Sequence, residues 1–330
     1  MSVSVVVPQR RLGASRLTVS CPGLGTATWG TTTAAEDAAE QLRAFLSVGG
    51  TLLDTADIYA AGRSEEILGS LLGTVVARSE VVLATKAVGV LHDPGRRQNA
   101  SYAHLLAALD RSLTRLRTDH VDLWQLHAWD PAVPLEETLR AVDEALSSGR
   151  VRYAGVCNYS GWQTAKAAAR QSGVGQAPLV SVQAEYSLLE RGIEREVVPA
   201  AADAGLGLLP WAPLGRGVLT GKYLGGVPRD RLDSRFFRWY VGRHLDERAA
   251  PVVEAVVTAA AGLGVPPLAV ALAWVRDRPG VTAPLIGART VGQLRESLAA
   301  EAVDLVLPEE IRARLDAVSA PHAGYPETGI

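Results

Sequence analysis

Strand-like and helix-like segments alternate eight times along this chain of 330 residues, most of them about thirty residues apart. No other feature limits the fold as strongly. Strands separated by helices are not joined by tight turns, so they lie parallel in one sheet. The strand candidates are the runs at 23–27, 51–54, 81–85, 121–126, 152–157, 179–184, 205–210 and 281–286. Between them, apolar residues recur at helical spacing. Leu105, Leu109, Leu113 and Leu116 follow a Ser101 cap, and Leu135, Leu139, Val142 and Leu146 run from Pro134 to a stop at Gly149. Further helices are read at 34–46, 64–72, 162–170, 193–202, 252–261, 268–275 and 291–300.

Eight such units suit a closed (β/α)8 TIM barrel better than an open doubly wound sheet, and barrels of this kind run to about 250 residues, longer with insertions. The expected additions are an N-terminal β-hairpin (Leu12-Gly13 with 17–19), a long irregular loop after strand seven (211–247), and a C-terminal helix at 308–318. No low-complexity linker interrupts the chain, so 1–330 reads as a single domain. With 48% hydrophobic but only 5% aromatic residues, the core is expected to be rich in Ala, Val and Leu. A net charge of -2 gives no basic field for nucleic acid or an anionic membrane. Cys21 and Cys157 are too few for a disulfide framework or a cysteine-rich metal site. Without a signal-like start or an uninterrupted apolar run, a cytoplasmic protein is expected.

Polar residues fall where strands end: Asp54, Lys86, His127, Asn158 and Gln183. All strands of a barrel run the same way, so these ends meet at one mouth, where active sites are built. The stretch 52–66 is the densest case. Two leucines lead into Asp54, Tyr59 follows five positions later, Gly62 breaks the run, and Glu65 and Glu66 start a helix whose positive end favours them. The histidines at His92, His104, His120, His244 and His322 lie in loops or helices and are expected to be solvated. No His/Asp/Glu set shows metal-ligand spacing, so no metal is expected. Gly23-Leu24-Gly25 lacks the third glycine of a dinucleotide fingerprint.

From Leu12 to about Val318 the chain resembles the aldo-keto reductase superfamily. The motifs that carry the resemblance are Asp54-Thr55-Ala56-Asp57-Ile58-Tyr59 with Gly62-Arg63-Ser64-Glu65, Ala84-Thr85-Lys86, Asp122-Leu123-Trp124-Gln125-Leu126-His127, Gly155-Val156-Cys157-Asn158, Gln183-Ala184-Glu185-Tyr186-Ser187, the run from Pro213 to Tyr223, and Gly287-Ala288-Arg289-Thr290. The resemblance implies an NADP-dependent oxidoreductase that reduces an aldehyde or ketone to an alcohol, with Asp54, Tyr59, Lys86 and His127 as the catalytic group. The chemistry is coherent: hydride transfer leaves negative charge on the carbonyl oxygen, which needs a proton as it develops. Tyr59 has an ordinary pKa near 10, and the Lys86 ammonium is expected to lower it. Asp54 would hold Lys86 charged, and His127 would orient the substrate oxygen.

For the cofactor, NADP(H), the resemblance implies Cys157, Asn158, Gln183, Trp211, Pro213, Leu214, Gly215, Arg216, Gly217, Thr220, Lys222, Gly287, Arg289, Thr290, Gln293 and Glu296. Backbone N–H groups of the glycine-rich turn suit a pyrophosphate, with Arg216 and Lys222 expected to add positive charge. Asn158 and Gln183 suit the carboxamide, and Trp211 the nicotinamide ring. Arg289 and Thr290 suit the 2′-phosphate, with Gln293 and Glu296 near the adenine. Cys157 stands where the family usually has serine, Trp211-Ala212 where Tyr-Ser is frequent, and Ser297 where asparagine is common. Substrate-binding candidates are Trp29, Tyr59, His127 and Trp129. Trp29, Trp129 and the aromatic run 236–240 either wall the mouth or serve as packing anchors for the insertion, and the segment 224–244 is expected to shape the pocket and not the barrel core. The implied partner is a small carbonyl compound, bound by a monomer or homo-oligomer. Two alternatives stay open: reduction of a nucleotide-linked deoxysugar, with Arg235, Arg238 and Arg243 as extra cations, and a non-catalytic, cofactor-sensing regulatory subunit.

Overall fold

The structure, a computed structural model, describes residues 6–89, 98–173, 176–227, 233, 235–322 and 324. Eight parallel strands close into a barrel in the order β10-β3-β4-β5-β6-β7-β8-β9, comprising β3 (Gly23–Gly25), β4 (Leu52–Asp54), β5 (Val82–Ala87), β6 (Val121–Leu126), β7 (Val151–Cys157), β8 (Leu179–Glu185), β9 (Gly207–Trp211) and β10 (Leu285–Ile286). An antiparallel pair, β1 (Gln9–Arg11) and β2 (Thr18–Ser20), precedes it. The hairpin is therefore present, but its first strand lies just before Leu12-Gly13. The predicted strand at 281–286 pairs as a strand only at its last two residues, with an isolated bridge from Val281 to Leu208.

Helices follow the strands as the rhythm requires: α1 (Ala35–Leu46), α2 (Arg63–Leu71), α3 (Tyr102–Leu116), α4 (Leu135–Ser147), α5 (Gly161–Gln171) and α6 (Val197–Asp203). The insertion after β9 holds a turn of 3-10 helix (Gly215–Thr220), a short α7 (Arg235–Tyr240) and a second such turn (Gly242–His244). Then come α8 (Ala249–Leu263), α9 (Pro267–Arg276), α10 (Val291–Ala302) and α11 (Glu309–Val318). Ser101 occupies the cap position of α3 as expected, but its side chain makes no capping bond.

Two layers of apolar packing hold these elements. Helix faces such as Leu105, Ala108 and Leu109 of α3 and Leu139 and Val142 of α4 are buried against the outside of the barrel. Inside it, Leu52, Leu123, Leu209 and Leu285 meet Leu12, Val19 and Cys21 from the hairpin. Each buried leucine contributes roughly 1.5–3 kcal/mol. The hairpin thus plugs the floor of the barrel. Its turn needs glycine: Gly13 has φ +56°, and a Cβ there would stand 2.4 Å from the Gly205 carbonyl. Among the described residues no single helix is long and apolar enough to cross a membrane, and the apolar pair α8–α9 bends by 104°.

Candidate active site

At the mouth, β4 ends on Asp54 and the neighbouring β5 carries Lys86 two residues beyond its partner Ala84. Both are buried, 3% and 0% exposed. Lys86 Nζ donates to Asp54 Oδ2 at 2.6 Å and to the Thr55 carbonyl at 2.8 Å, and lies 3.4 Å from the Tyr59 hydroxyl. A buried ammonium is tolerable only when its N–H groups are answered, and three oxygens here meet three donors. The other carboxylate oxygen, Asp54 Oδ1, accepts from Gln183 Nε2 at 2.9 Å and more loosely from Gln125 Nε2 at 3.4 Å. Gln125 escaped the sequence reading, although a polar residue inside an apolar strand was a usable signal.

Tyr59 lies on the loop between β4 and α2. Ala60, Ala61 and Gly62 all take left-handed backbone angles (φ 49°, 56° and 94°), which only glycine adopts freely. That tight reversal sets the Tyr59 ring 6.0 Å from the His127 ring, edge to face. Burial pushes the phenol up to about 12; Lys86 pulls it down, but Asp54 opposes Lys86. The expected net lowering by Lys86 is therefore corrected, because desolvation outweighs the ammonium. Burial alone would lower Lys86, yet Asp54 and Tyr59 carry it above its ordinary value. His127 is pulled down to about 3 by burial and by Lys86. The site accordingly holds a protonated phenol, a charged ammonium and a neutral imidazole at neutral pH. The Nδ1 atom of His127 is buried without a hydrogen-bond partner among the described residues.

Around this cluster stand the residues expected to hold a dinucleotide. Exposed Asn158, at φ 57°, donates Nδ2 to the His127 carbonyl at 3.1 Å and accepts from Trp211 Nε1 at 3.0 Å. Cys157 is buried beside it, with Sγ 3.2 Å from Asn158 Nδ2, and burial pushes its thiol up to about 12. Gln183 is 2% exposed, and its amide nitrogen serves Asp54 in this structure. The glycine turn opens on Pro213 and Leu214, and Thr220 Oγ1 closes it onto the Gly217 carbonyl at 2.9 Å. Gly217 suits its place because its φ is +86°, a backbone conformation that residues with a side chain rarely adopt. Arg216 departs from expectation. Its guanidinium is not a free cation but forms two bonds to Glu185, at 3.0 and 2.9 Å.

After β10 and exposed Gly287, Thr290 caps α10 by accepting from Gln293 N at 3.3 Å, and Gln293 Oε1 in turn accepts from Arg289 N at 3.1 Å. The Arg289 side chain is exposed and makes no ion pair among the described residues. A flat indole, an exposed amide, a glycine turn and a helix start flanked by an arginine make a surface that fits an extended, phosphorylated dinucleotide.

Two side chains expected at the mouth or in solvent are buried instead. Trp29 is 0% exposed, with its indole N–H on Gln41 Oε1 at 2.9 Å, so it is a core anchor against α1. His244, expected in solvent, is buried with Nε2 3.0 Å from Glu185 Oε1. Trp129 is half-buried and packs edge to face on Tyr159 and Trp162, each at 5.3 Å. Phe237 of α7 is 8% exposed and packs against Tyr223 at 5.7 Å, which makes it an anchor of the insertion. The side chains of Arg235, Phe236 and Trp239, and residue His92, lie outside the described residues.

Similarity to known proteins runs over nearly the whole chain. The family model for the aldo/keto reductase family matches residues 23–320. The oxidoreductase YrpG of Bacillus subtilis (strain 168) is 37% identical over 326 residues, covering 96% of this chain and 97% of the relative. The aldo-keto reductase YhdN of the same organism is 35% identical over 85% of this chain and 83% of its own length. A probable voltage-gated potassium channel subunit beta of Oryza sativa subsp. japonica is 34% identical over 94% and 95%.

Proposed function

Because this chain belongs to the aldo/keto reductase family of oxidoreductases, we propose that it reduces an aldehyde or ketone to an alcohol with NADPH, Tyr59 giving the proton. The observation that carries this reading is the Tyr59 hydroxyl 3.4 Å from an ammonium that is itself buried on Asp54 at 2.6 Å. A structural ion pair would need neither the tyrosine nor the neutral histidine across from it. NADPH, when bound, supplies the hydride. The chain's own work is to orient the carbonyl and to deliver a proton where negative charge grows. The phenol of Tyr59 keeps its proton throughout the neutral range and releases it only to a strongly basic oxygen such as a developing alkoxide. Lys86 stabilises the phenolate left behind. His127, neutral, donates an N–H to the same oxygen.

Asn158 and Trp211 are read as the seat of the nicotinamide, the 215–220 turn as the pyrophosphate seat, and Arg289 with Thr290 as the seat of the 2′-phosphate. The substrate is read as a small carbonyl compound entering between Tyr59, His127 and Trp129. A deoxysugar nucleotide is less well served, since Arg243 already bonds Glu185 at 2.5 Å. A purely regulatory role, as the name of the rice relative would suggest, leaves the complete catalytic group without a task. The test is NADPH oxidation against a panel of aldehydes and ketones, with wild type and Tyr59→Phe. The variant should lose about 10²–10⁴-fold in turnover while binding NADPH as before. A variant that keeps more than half of the wild-type rate constant would remove Tyr59 from its role.

A further inference from the structure

At the end of β8, Glu185 gathers basic side chains from two parts of the insertion. Arg216 Nε and Nη2 donate to its two oxygens at 3.0 and 2.9 Å. Arg243 Nη2 donates to Oε2 at 2.5 Å, and His244 Nε2 lies 3.0 Å from Oε1. The Arg216 and Glu185 side chains are only 4% and 10% exposed, so their pairing is strong and directional. None of these bonds belongs to the chemistry described above.

What Glu185 fixes is the plane of the Arg216 guanidinium. Its Cζ stands 4.1 Å from the centroid of the Tyr240 ring and 5.3 Å from that of Trp211. Trp211 is also the cross-strand partner of Glu185 in the β8–β9 register. From the indole the contact runs on, Nε1 to Asn158 Oδ1 at 3.0 Å, and Asn158 Nδ2 to the His127 carbonyl at 3.1 Å. A buried carboxylate is thus connected, through a cation held on an aromatic face, to the indole and the amide at the catalytic mouth.

We propose that Glu185 is a positioning residue: through Arg216 it holds Trp211 and Asn158 in place for the nicotinamide half of the cofactor. This rests on the reading of those two residues as the nicotinamide seat. The test compares binding of NADPH with that of 2′-phospho-ADP-ribose, which keeps the whole phosphorylated chain and lacks only the nicotinamide. Glu185→Gln keeps the shape and removes the charge. NADPH should bind about tenfold more weakly to it, the size of coupling carried through such contacts, while 2′-phospho-ADP-ribose binds as to wild type. Trp211→Phe keeps a ring and loses the indole N–H. Combining it with Glu185→Gln should weaken NADPH by less than the product of the two single effects.

An equal loss for both ligands would make Glu185 a general support of the insertion, and independent effects in the double variant would break the link through Trp211. Either result overturns the proposal. If Glu185→Gln does not fold, Glu185→Asp, which keeps the charge but shortens the reach to Arg216, carries the same comparison with the same expectation. A wild-type protein that gains no affinity from the nicotinamide half would defeat the seat itself, and the proposal with it. A wild-type gain that survives in Glu185→Gln defeats the proposal alone.

Discussion

Asp57 shows how one buried carboxyl couples stability to pH. It is 7% exposed, and its Oδ1 has no hydrogen-bond partner among the described residues. Burial pushes its pKa from 3.8 up to about 7, with the neighbouring Glu65 adding to the rise. The folded protein therefore holds a proton that the unfolded chain releases from about pH 4 upward. That contribution to stability is complete below the unfolded value and is lost as the pH rises through about 7. Asp57→Asn should remove about 2 kcal/mol of the stability loss between about pH 5.5 and 8. Melting temperatures across that range would decide it, and a variant as pH-sensitive as wild type would clear Asp57 of the effect. Arg289 is proposed to act on a ligand instead. Its exposed fork beside the α10 start suits phosphate oxygens, and hydrogen bonds to charged groups contribute roughly 1.5–3 kcal/mol. Arg289→Met should weaken NADPH binding by about ten- to a hundredfold and leave NADH nearly untouched. Fluorescence quenching titrations with both cofactors would show an unchanged ratio if Arg289 does not read the phosphate.

At the scale of elements, the barrel was legible because each strand and helix carries its own period, and the gathering of Asp54, Lys86 and His127 because topology brings strand ends together. What was not legible depends on partners remote in sequence. Arg216 reads as a free cation until Glu185, 31 residues earlier, is folded against it. Tyr59 reads as a lowered phenol until its desolvation is known. The run 236–240 has no clean period, so its role could not be read. The structure makes Phe237 of α7 a packing residue, joined to Tyr223 and the main apolar core. Phe237→Ala should then cost about 3 kcal/mol and lower the melting temperature, with relative rates across carbonyl substrates unchanged. A variant with an intact melting curve and a reordered substrate preference would return this side chain to the pocket.

For the whole molecule, the decisive feature is the hairpin across the barrel floor. Leu12 and Val19 fill the bottom of the barrel with Leu52, Leu123 and Leu209, and Arg10 Nη1 ties the hairpin to the Arg276 and Val281 carbonyls at 3.1 and 3.4 Å. Nothing passes through a barrel closed in this way, so both reactants of a two-substrate reaction must use one doorway. Whatever seats deepest along the strand ends must arrive first and depart last, which is a queue imposed by shape. On the proposed seating, with the dinucleotide stretched from Asn158 to Arg289 and the carbonyl compound on top of it, steady-state kinetics should be of compulsory order. The oxidised cofactor should then inhibit competitively against NADPH, and the alcohol product should not. Competitive inhibition of NADPH by the alcohol would mean that the doorway is wide enough for two to pass.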